Sequence, residues 1–197
     1  MAELPLEFRL AFRAFQFEAG IERIRASFRA SIEAMERAAD QARAEEYRYL
    51  SGGENDDEYD GDGALIRSTR IGLQHEALQA AIAPNVVREA FITSAFHYWE
   101  RSARAWTGSD ERTFARLRDR VIADGIEVSD ELELLNALNN LLKHDNPARG
   151  REVFDKRRDL FRSSRVPSGS WQSALVLANL DVEHFIDVVS ASGPRTG

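Results

Sequence analysis

One helical pattern runs without interruption through the first quarter of the chain. From residue 5 to residue 50, apolar side chains recur every three or four positions, which is the spacing of one face of an α-helix. The pattern predicts a single helix over residues 5–50, with Pro5 in its first turn. Such a helix would be about 65 Å long, which favours a dimer or a protruding helical hairpin unless Gly20 introduces a kink. The apolar stripe consists of Leu6, Leu10, Ala14, Phe17, Ile21, Ile24, Phe28, Ile32, Met35, Ala39 and Ala42.

A second apolar stripe lies on nearly the opposite face of the N-terminal half of this helix. It consists of Phe8, Phe12, Phe15 and Ala19. A helix that is apolar on two sides must be covered on two sides. Either the helix is buried deeply in its own domain, or the phenylalanine face is an interface that docks a partner chain, since buried aromatic residues dominate the energetics of such interfaces.

The composition changes sharply after residue 50. Residues 51–63 contain six acidic residues and no basic residue, which predicts a mobile acidic connector. Asp56 opens a pattern similar to a calcium-binding loop, but Arg67 stands where that loop requires a glutamate, so we exclude calcium binding. The predicted organisation is a long N-terminal helix (1–50), an acidic flexible loop (51–63), a helical bundle forming a single domain with that helix (64–192), and a disordered tail (193–197).

The rest of the chain has the pattern of further amphipathic helices. Residues 64–83 alternate in part like a strand, but they continue with helical spacing until Pro84, so we predict a helix there. Asn85 is a candidate N-cap for the next helix. Because no repeat and no convincing strand pairing is present, the predicted fold class is all-α, a helical bundle with a long N-terminal helix. The later helices are predicted over residues 85–106, 110–123, 130–144, 152–161 and 182–189.

Residues 130–144 separate their polar and apolar side chains completely at helical spacing. Asp130 with Glu133 resembles a capping box, and Pro147 prevents continuation of the helix. One arc carries five leucines, while the other gathers amides, an ammonium and an imidazole, which suits a functional site as well as a core. The first arc is Leu134, Leu135, Leu138, Leu141 and Leu142, and the second is Asn136, Asn139, Asn140, Lys143 and His144.

Composition and charge narrow the class of protein. The 197 residues include no cysteine, which excludes disulfides and thiolate sites. No apolar run approaches the roughly 20 residues that cross a bilayer, and the N-terminus lacks an export pattern, so we expect a cytoplasmic protein without membrane contact. The net charge is −7, yet residues 149–165 carry seven basic and three acidic residues. This segment is either a solvated helix face or a positive patch, and the predicted nucleic-acid-binding residues are Arg104, Arg151, Lys156, Arg157 and Arg158.

Four side chains of the 85–106 helix share one face. His97 lies four residues before Arg101, and Glu100 lies four residues before Arg104. The face is either a solvated surface joined by a Glu–Arg pair or one side of a site completed by the end of the 130–144 helix. The sequence has no nucleotide-binding glycine loop, no zinc-protease or serine-hydrolase motif and no histidine pair spaced for a shared metal, so we predict no metal and no cofactor.

Together the two helices predict chemistry on a phosphate group. Imidazole moves protons near neutral pH, and guanidinium holds phosphate bidentately. The combination suits metal-independent RNA cleavage, in which a base takes the 2′-hydroxyl proton, an acid protonates the leaving oxygen and cations stabilise the developing charge. In this hypothesis one histidine is the acid or base, an amide and a lysine orient phosphate, and three residues support them. These candidate catalytic residues are His144, Asn140, Lys143, His97, Glu100 and Arg101, in that order of role.

The same residues resemble the HEPN superfamily of all-α domains, whose final-helix motif is an arginine, a polar residue, three variable residues and a histidine. Here His144 closes the motif, Asn140 stands at the polar position and Asn139 replaces the arginine. The segments FHYWER (96–101) and LNALNNLLKHD (135–145) are also similar to HEPN-like proteins.

The resemblance implies an up-and-down helical core and a homodimer whose two motifs face one cleft. It also implies metal-independent RNA cleavage in a toxin–antitoxin, stress or phage-defence setting. Because Asn139 replaces the family's arginine, either Arg101 or Arg104 supplies the charge, or the domain only binds RNA. The alternative function is a non-catalytic helical interaction module that docks a protein partner, such as an antitoxin, through Phe8, Phe12 and Phe15.

Overall fold

The computed structural model describes residues 6–53 and 56–195, with side chains described from residue 11 onward. The predicted all-α class is confirmed. The helices are α1 (Leu6–Gly52), α2 (Thr69–Thr107), α3 (Phe114–Ala123), α4 (Leu132–His144), α5 (Pro147–Lys156) and α6 (Asn179–Ser190), with one strand pair, β1 (Glu58–Tyr59) and β2 (Leu65–Arg67), and 3-10 turns at Arg158–Leu160 and Gln172–Ala174.

The chain divides into two compact units where the sequence predicted one domain. The first unit contains the residues up to Phe28 and those from Arg88 onward, and the second is Arg29–Val87. α1 is continuous through Gly20, as the apolar stripe predicts. In the first unit the stripe buries Phe17 and Ile21. The second unit buries Ile32 and Ala39 from the same stripe.

The prediction of a helix break at Pro84 is wrong, because α2 continues from Thr69 to Thr107 with Pro84 inside it. Proline removes one backbone donor and crowds the preceding turn, at a cost of about 3 kcal/mol. Pro84 is buried, so packing offsets that cost. Asn85 is therefore an interior helical residue and not an N-cap.

The acidic segment forms part of a short β-hairpin, a strand pairing that the sequence analysis did not predict. Glu58 lies opposite Arg67 in the antiparallel pair. The turn is organised by the Asp60 carboxylate, which accepts hydrogen bonds from the backbone N–H groups of Asp62 and Ala64. Asparagine and aspartate favour such turns because their side chains mimic a backbone acceptor.

α4 lies in the first unit, and its polar arc is divided between buried residues and exposed residues at its last turn. Asn136 and Asn139 are buried together with the leucines. The helix also begins at Leu132 and has no capping box: the Ser129 hydroxyl accepts the hydrogen bond from the Glu131 N–H instead. The sequence of α4 is amphipathic, yet most of its residues are buried.

Helix starts after α2 differ from the prediction for local reasons. α5 begins at Pro147 because the Asn146 side chain caps it and a proline is tolerated in the first turn. α3 begins at Phe114, later than predicted, because other hydrogen bonds hold the preceding segment. The Glu111 carbonyl accepts from Arg104 Nε at 3.2 Å, and the Glu111 N–H donates to the Ser109 hydroxyl.

The chain is packed at Ser192 and Gly193, near the end of the described residues, and residues 196–197 of the predicted tail lie outside the described residues. Indole Nε1 of Trp99 donates to the Ser192 carbonyl at 2.7 Å. The Ser192 hydroxyl accepts from the Ser129 N–H and donates to the Val188 carbonyl. Gly193 is buried against Phe17, where an added Cβ would lie 3.0 Å or less from three ring carbons. Close packing of small residues fixes this segment in the first unit.

No helix within the described residues is long and apolar enough to cross a membrane.

Candidate functional site

An open cavity of about 530 Å³ lies in the first unit between about two turns of α1 and three turns of α2. We call it the α1–α2 groove. It contains two arginines, a histidine, hydroxyl groups and apolar side chains, a mixture suited to a ligand with an anionic and an apolar part. Its lining residues are Gly20, Arg23, Ile24, Ser27, Phe91, Thr93, Ser94, His97, Tyr98 and Arg101.

One end of the groove is built by Tyr98 lying against the backbone of α1. The Tyr98 hydroxyl lies 3.2 Å from the carbonyls of Gln16 and Phe17, and its ring stacks on the Phe17 ring with 5.5 Å between centroids. This approach requires glycine at position 20, because an added Cβ would lie 2.9 Å from Cε2 of Tyr98 and closer still to Cζ and Oη. Gly20 is therefore a packing requirement of the groove.

His97 is held by a carboxylate that is itself held by an arginine. Nδ1 of His97 lies 3.0 Å from Oε2 of Glu100, and Oε1 of Glu100 accepts from Arg104 at 3.3 Å. Because an ionised carboxylate only accepts hydrogen bonds, Nδ1 carries a proton and the lone pair of neutral His97 lies on Nε2. The His97 side chain is 42% exposed, against 17% for Glu100. The imidazole is thus oriented from one side and accessible from the other.

Two guanidinium groups in the groove are not neutralised by any side chain that the structure describes. Neither Arg23 nor Arg101 forms an ion pair with any residue that the structure describes, and both are exposed. Arg101 lies over the Tyr98 ring at 5.6 Å from its centroid, which positions the guanidinium without removing its charge. Arg23 was not identified from the sequence, since nothing in the chain order indicates that it lies opposite α2.

The predicted residues at the end of α4 do not line this groove. Lys143 and His144 are exposed at the last turn of α4, and the Asn140 amide donates to the carbonyl and Oδ1 of Asn136 at 2.8 and 3.0 Å. Asn139, at the position where the HEPN family places arginine, is 3% exposed and its Oδ1 has no hydrogen-bond partner among the described residues. The groove therefore contains His97 and Arg101 of the predicted set, with Glu100 bonded to His97.

Most of the predicted nucleic-acid-binding residues are already paired. Arg151 pairs with Asp155, and Lys156 pairs with Glu152. Arg157 bridges Asp159 and Asp181, and these carboxylates raise the pKa of its guanidinium above the ordinary value despite the opposing effect of burial. The guanidinium of Arg158 lies over the Phe154 ring, 4.8 Å from its centroid. Arg104 donates hydrogen bonds to the Glu100 carboxylate and to the Glu111 carbonyl. A phosphate bound at the paired residues would have to compete with these carboxylates.

The predicted interface residues are partly described. Phe12 and Phe15 are 50% and 62% exposed on α1, and the Phe8 side chain lies outside the described residues. No group of three or more His, Asp or Glu side chains within the described ranges is arranged to hold a metal ion.

No protein-family model, no curated protein and no solved structure matches this chain.

Proposed function

We propose that this protein is HEPN-like and binds single-stranded RNA, with the α1–α2 groove holding backbone phosphate. One observation carries the proposal: Arg23, Arg101 and His97 line one open cavity, and no described carboxylate neutralises either guanidinium. Arginine holds phosphate through two parallel hydrogen bonds, and an unstacked strand can place bases against apolar side chains such as Phe91. Because the net charge of the protein is −7, attraction of nucleic acid depends on local positive positions such as these two guanidinium groups.

His97 is the proposed general base for RNA cleavage in this groove. Its Nε2 takes the proton of a ribose 2′-hydroxyl, and the 2′ oxygen attacks the adjacent phosphorus. The bond from phosphorus to the 5′ oxygen breaks, leaving a 2′,3′-cyclic phosphate, and water in the open groove protonates the leaving oxygen. Glu100 stabilises the imidazolium that forms, while Arg23 and Arg101 stabilise the charge that develops on the phosphate.

The resemblance to HEPN proteins provides the proposed setting. In it the protein acts in a toxin–antitoxin, stress or phage-defence response as a homodimer. The end of α4, with Asn140, Lys143 and His144, is then a second candidate site that two subunits would bring to one cleft.

Cleavage of a generic single-stranded RNA in the presence of EDTA tests the catalytic assignment. We expect cleavage that leaves a cyclic phosphate and is about 100-fold slower in His97→Ala, the lower part of the range for loss of an acid or base. His144→Ala is the matched variant, since it removes an exposed imidazole outside the groove. If only His144→Ala loses activity, the reaction belongs to the end of α4. Undiminished cleavage in both variants contradicts both sites, and binding without cleavage restricts the function to RNA binding.

A second candidate function is a non-catalytic interaction module that docks an antitoxin-like protein. The exposure of Phe12 and Phe15 favours it, because large aromatic side chains at a surface are typical of interface anchors. A mass by light scattering that stays monomeric at all concentrations would argue against both the homodimer and self-docking through this face.

A further inference from the structure

The segment that follows the 3-10 turn Arg158–Leu160 forms a closed loop. Phe161 and Leu175 pair as an antiparallel bridge, and the Arg162 N–H donates to the Ala174 carbonyl at 2.9 Å. The Val176 N–H donates to the Leu160 carbonyl at 2.8 Å. These two backbone hydrogen bonds hold the two ends of the loop together. A compact surface loop of this length with adjacent ends is an Ω-loop, a type that frequently carries function. We call residues 162–174 the Ω-loop.

The Ω-loop is anchored to the rest of the first unit by a buried tryptophan and a backbone hydrogen bond. Trp171 is buried and packs edge-on against Phe154 at 6.1 Å between centroids. Gly150 allows this, since a Cβ there would lie 2.7 Å or less from three indole carbons. The Gln172 N–H donates to Oδ1 of Asp145 at 2.8 Å. Trp171 is therefore a core anchor and not an exposed platform for base stacking.

An open cavity of about 440 Å³ is lined by residues of the Ω-loop. The Ser163 hydroxyl accepts from the Arg165 N–H, and the Ser170 hydroxyl accepts from the Ser173 N–H, which fixes two tight turns. The Ser163 hydroxyl keeps a proton to donate, whereas the Ser170 hydroxyl donates its proton to the Asp145 carboxylate. The polar residues that line the cavity are Arg162, Ser163, Arg165, Ser168, Ser170 and Ser173.

The Ω-loop carries a positive charge, although the net charge of the protein is −7. Residues 160–180 contain no aspartate or glutamate, and neither Arg162 nor Arg165 forms an ion pair with a residue in the described part of the chain. In the adjacent α5, by contrast, the basic residues are paired.

Two carboxylates that the structure describes accept hydrogen bonds from the Ω-loop. Glu89 accepts from the Gln172 side-chain amide at 2.9 Å. Asp145 accepts from the Gln172 N–H and the Ser170 hydroxyl, which hold the pKa of Asp145 below its ordinary value. Hydrogen-bond donors of the Ω-loop therefore already stabilise the negative charge of the Asp145 carboxylate.

We propose that the Ω-loop is a phosphate-binding site, separate from the α1–α2 groove. Arg162 and Arg165 supply two guanidinium forks, and the Ser163 hydroxyl supplies a further donor at the same cavity. This combination fits the tetrahedral oxygens of a phosphate ester. The ligand is the phosphate of a nucleotide or of an RNA strand. The site requires neither the groove nor catalysis.

Titration of the full chain with inorganic phosphate, a nucleoside 5′-monophosphate and a short single-stranded RNA tests the site by amide NMR. We expect shifts of amides in the Ω-loop and a weakening of binding of about tenfold in Arg162→Gln and in Arg165→Gln. Arg37→Gln is the matched control, because Arg37 is an exposed arginine paired with Glu33. It should bind like the wild type.

The three ligands distinguish the source of the phosphate. Binding of the monophosphate but not of the RNA identifies a free nucleotide ligand, and tighter binding of the RNA identifies the strand. Absence of Ω-loop shifts with all three ligands, or equal affinity in the Arg162 and Arg165 variants with unchanged spectra elsewhere, overturns the site. Arg23→Gln separates this result from the proposed groove, since it should leave the Ω-loop shifts intact.

Discussion

Replacement of Trp99 by alanine is expected to lower the free energy of unfolding by about 3–5 kcal/mol, the range for truncating a buried large aromatic residue. Trp99 is fully buried. Its ring lies 5.7 Å from the Phe114 ring and 6.2 Å from the Phe96 ring, and its Nε1 donates to the Ser192 carbonyl. The variant loses the packing of α2 on α3 and the bond that holds the C-terminal segment. Urea unfolding followed by circular dichroism measures the change.

Two further variants separate these contributions. Trp99→Phe keeps much of the ring but leaves the buried Ser192 carbonyl without this donor, so we expect a smaller loss of about 1–3 kcal/mol. Ile122→Ala truncates an exposed apolar residue on α3 and should change stability by less than about 0.5 kcal/mol. A loss below about 1 kcal/mol in Trp99→Ala would show that α2 is not held as described.

Replacement of Gly20 by alanine should destabilise the protein by about 1–3 kcal/mol, although alanine is the better helix former by about 1 kcal/mol. The reason is the overlap of the new Cβ with the Tyr98 side chain, which lies against α1 at this residue. Gly72→Ala is the matched control, because Gly72 also lies in a helix but has no atom within 4 Å of the added Cβ. That variant should be neutral or more stable.

A double variant tests the cause of the Gly20→Ala effect. Tyr98→Phe removes the hydroxyl that an added Cβ would overlap most, so it should be less destabilising on the alanine background than on the wild-type background. Equal effects on the two backgrounds, or a stabilising Gly20→Ala, would contradict the close approach of Tyr98 to α1. The comparison needs only the same urea unfolding curves.

The helical class was predictable because apolar spacing reports which face of a helix is buried. α1 follows its stripe from Leu6 to Gly52. The same reasoning failed at Pro84, where a buried proline stays inside a helix because tertiary packing overrides a local preference. The spacing also did not show that Asn139, on the polar arc of α4, is buried. Spacing along one helix carries no information about how many neighbours surround it.

The candidate site was predictable only where its residues share one helix. His97, Glu100 and Arg104 lie within about two turns of α2, and the Glu100–Arg104 ion pair contained in one of the two alternatives is present. Arg23 and Gly20 come from α1, about 75 residues earlier in the chain, so their place in the groove depends on helix packing that the sequence pattern does not encode.

The most direct test of the groove is the salt dependence of RNA binding, measured by fluorescence anisotropy with a short single-stranded RNA. For Arg23→Gln/Arg101→Gln we expect weaker binding and a slope of log K against log salt that is smaller by about 1.4, since each phosphate contact on a single strand contributes about 0.7. Arg37→Gln/Arg43→Gln removes the same charge from ion-paired positions on α1 and should leave the slope unchanged. Identical slopes and affinities in the wild type and the groove variant would contradict RNA binding by the groove.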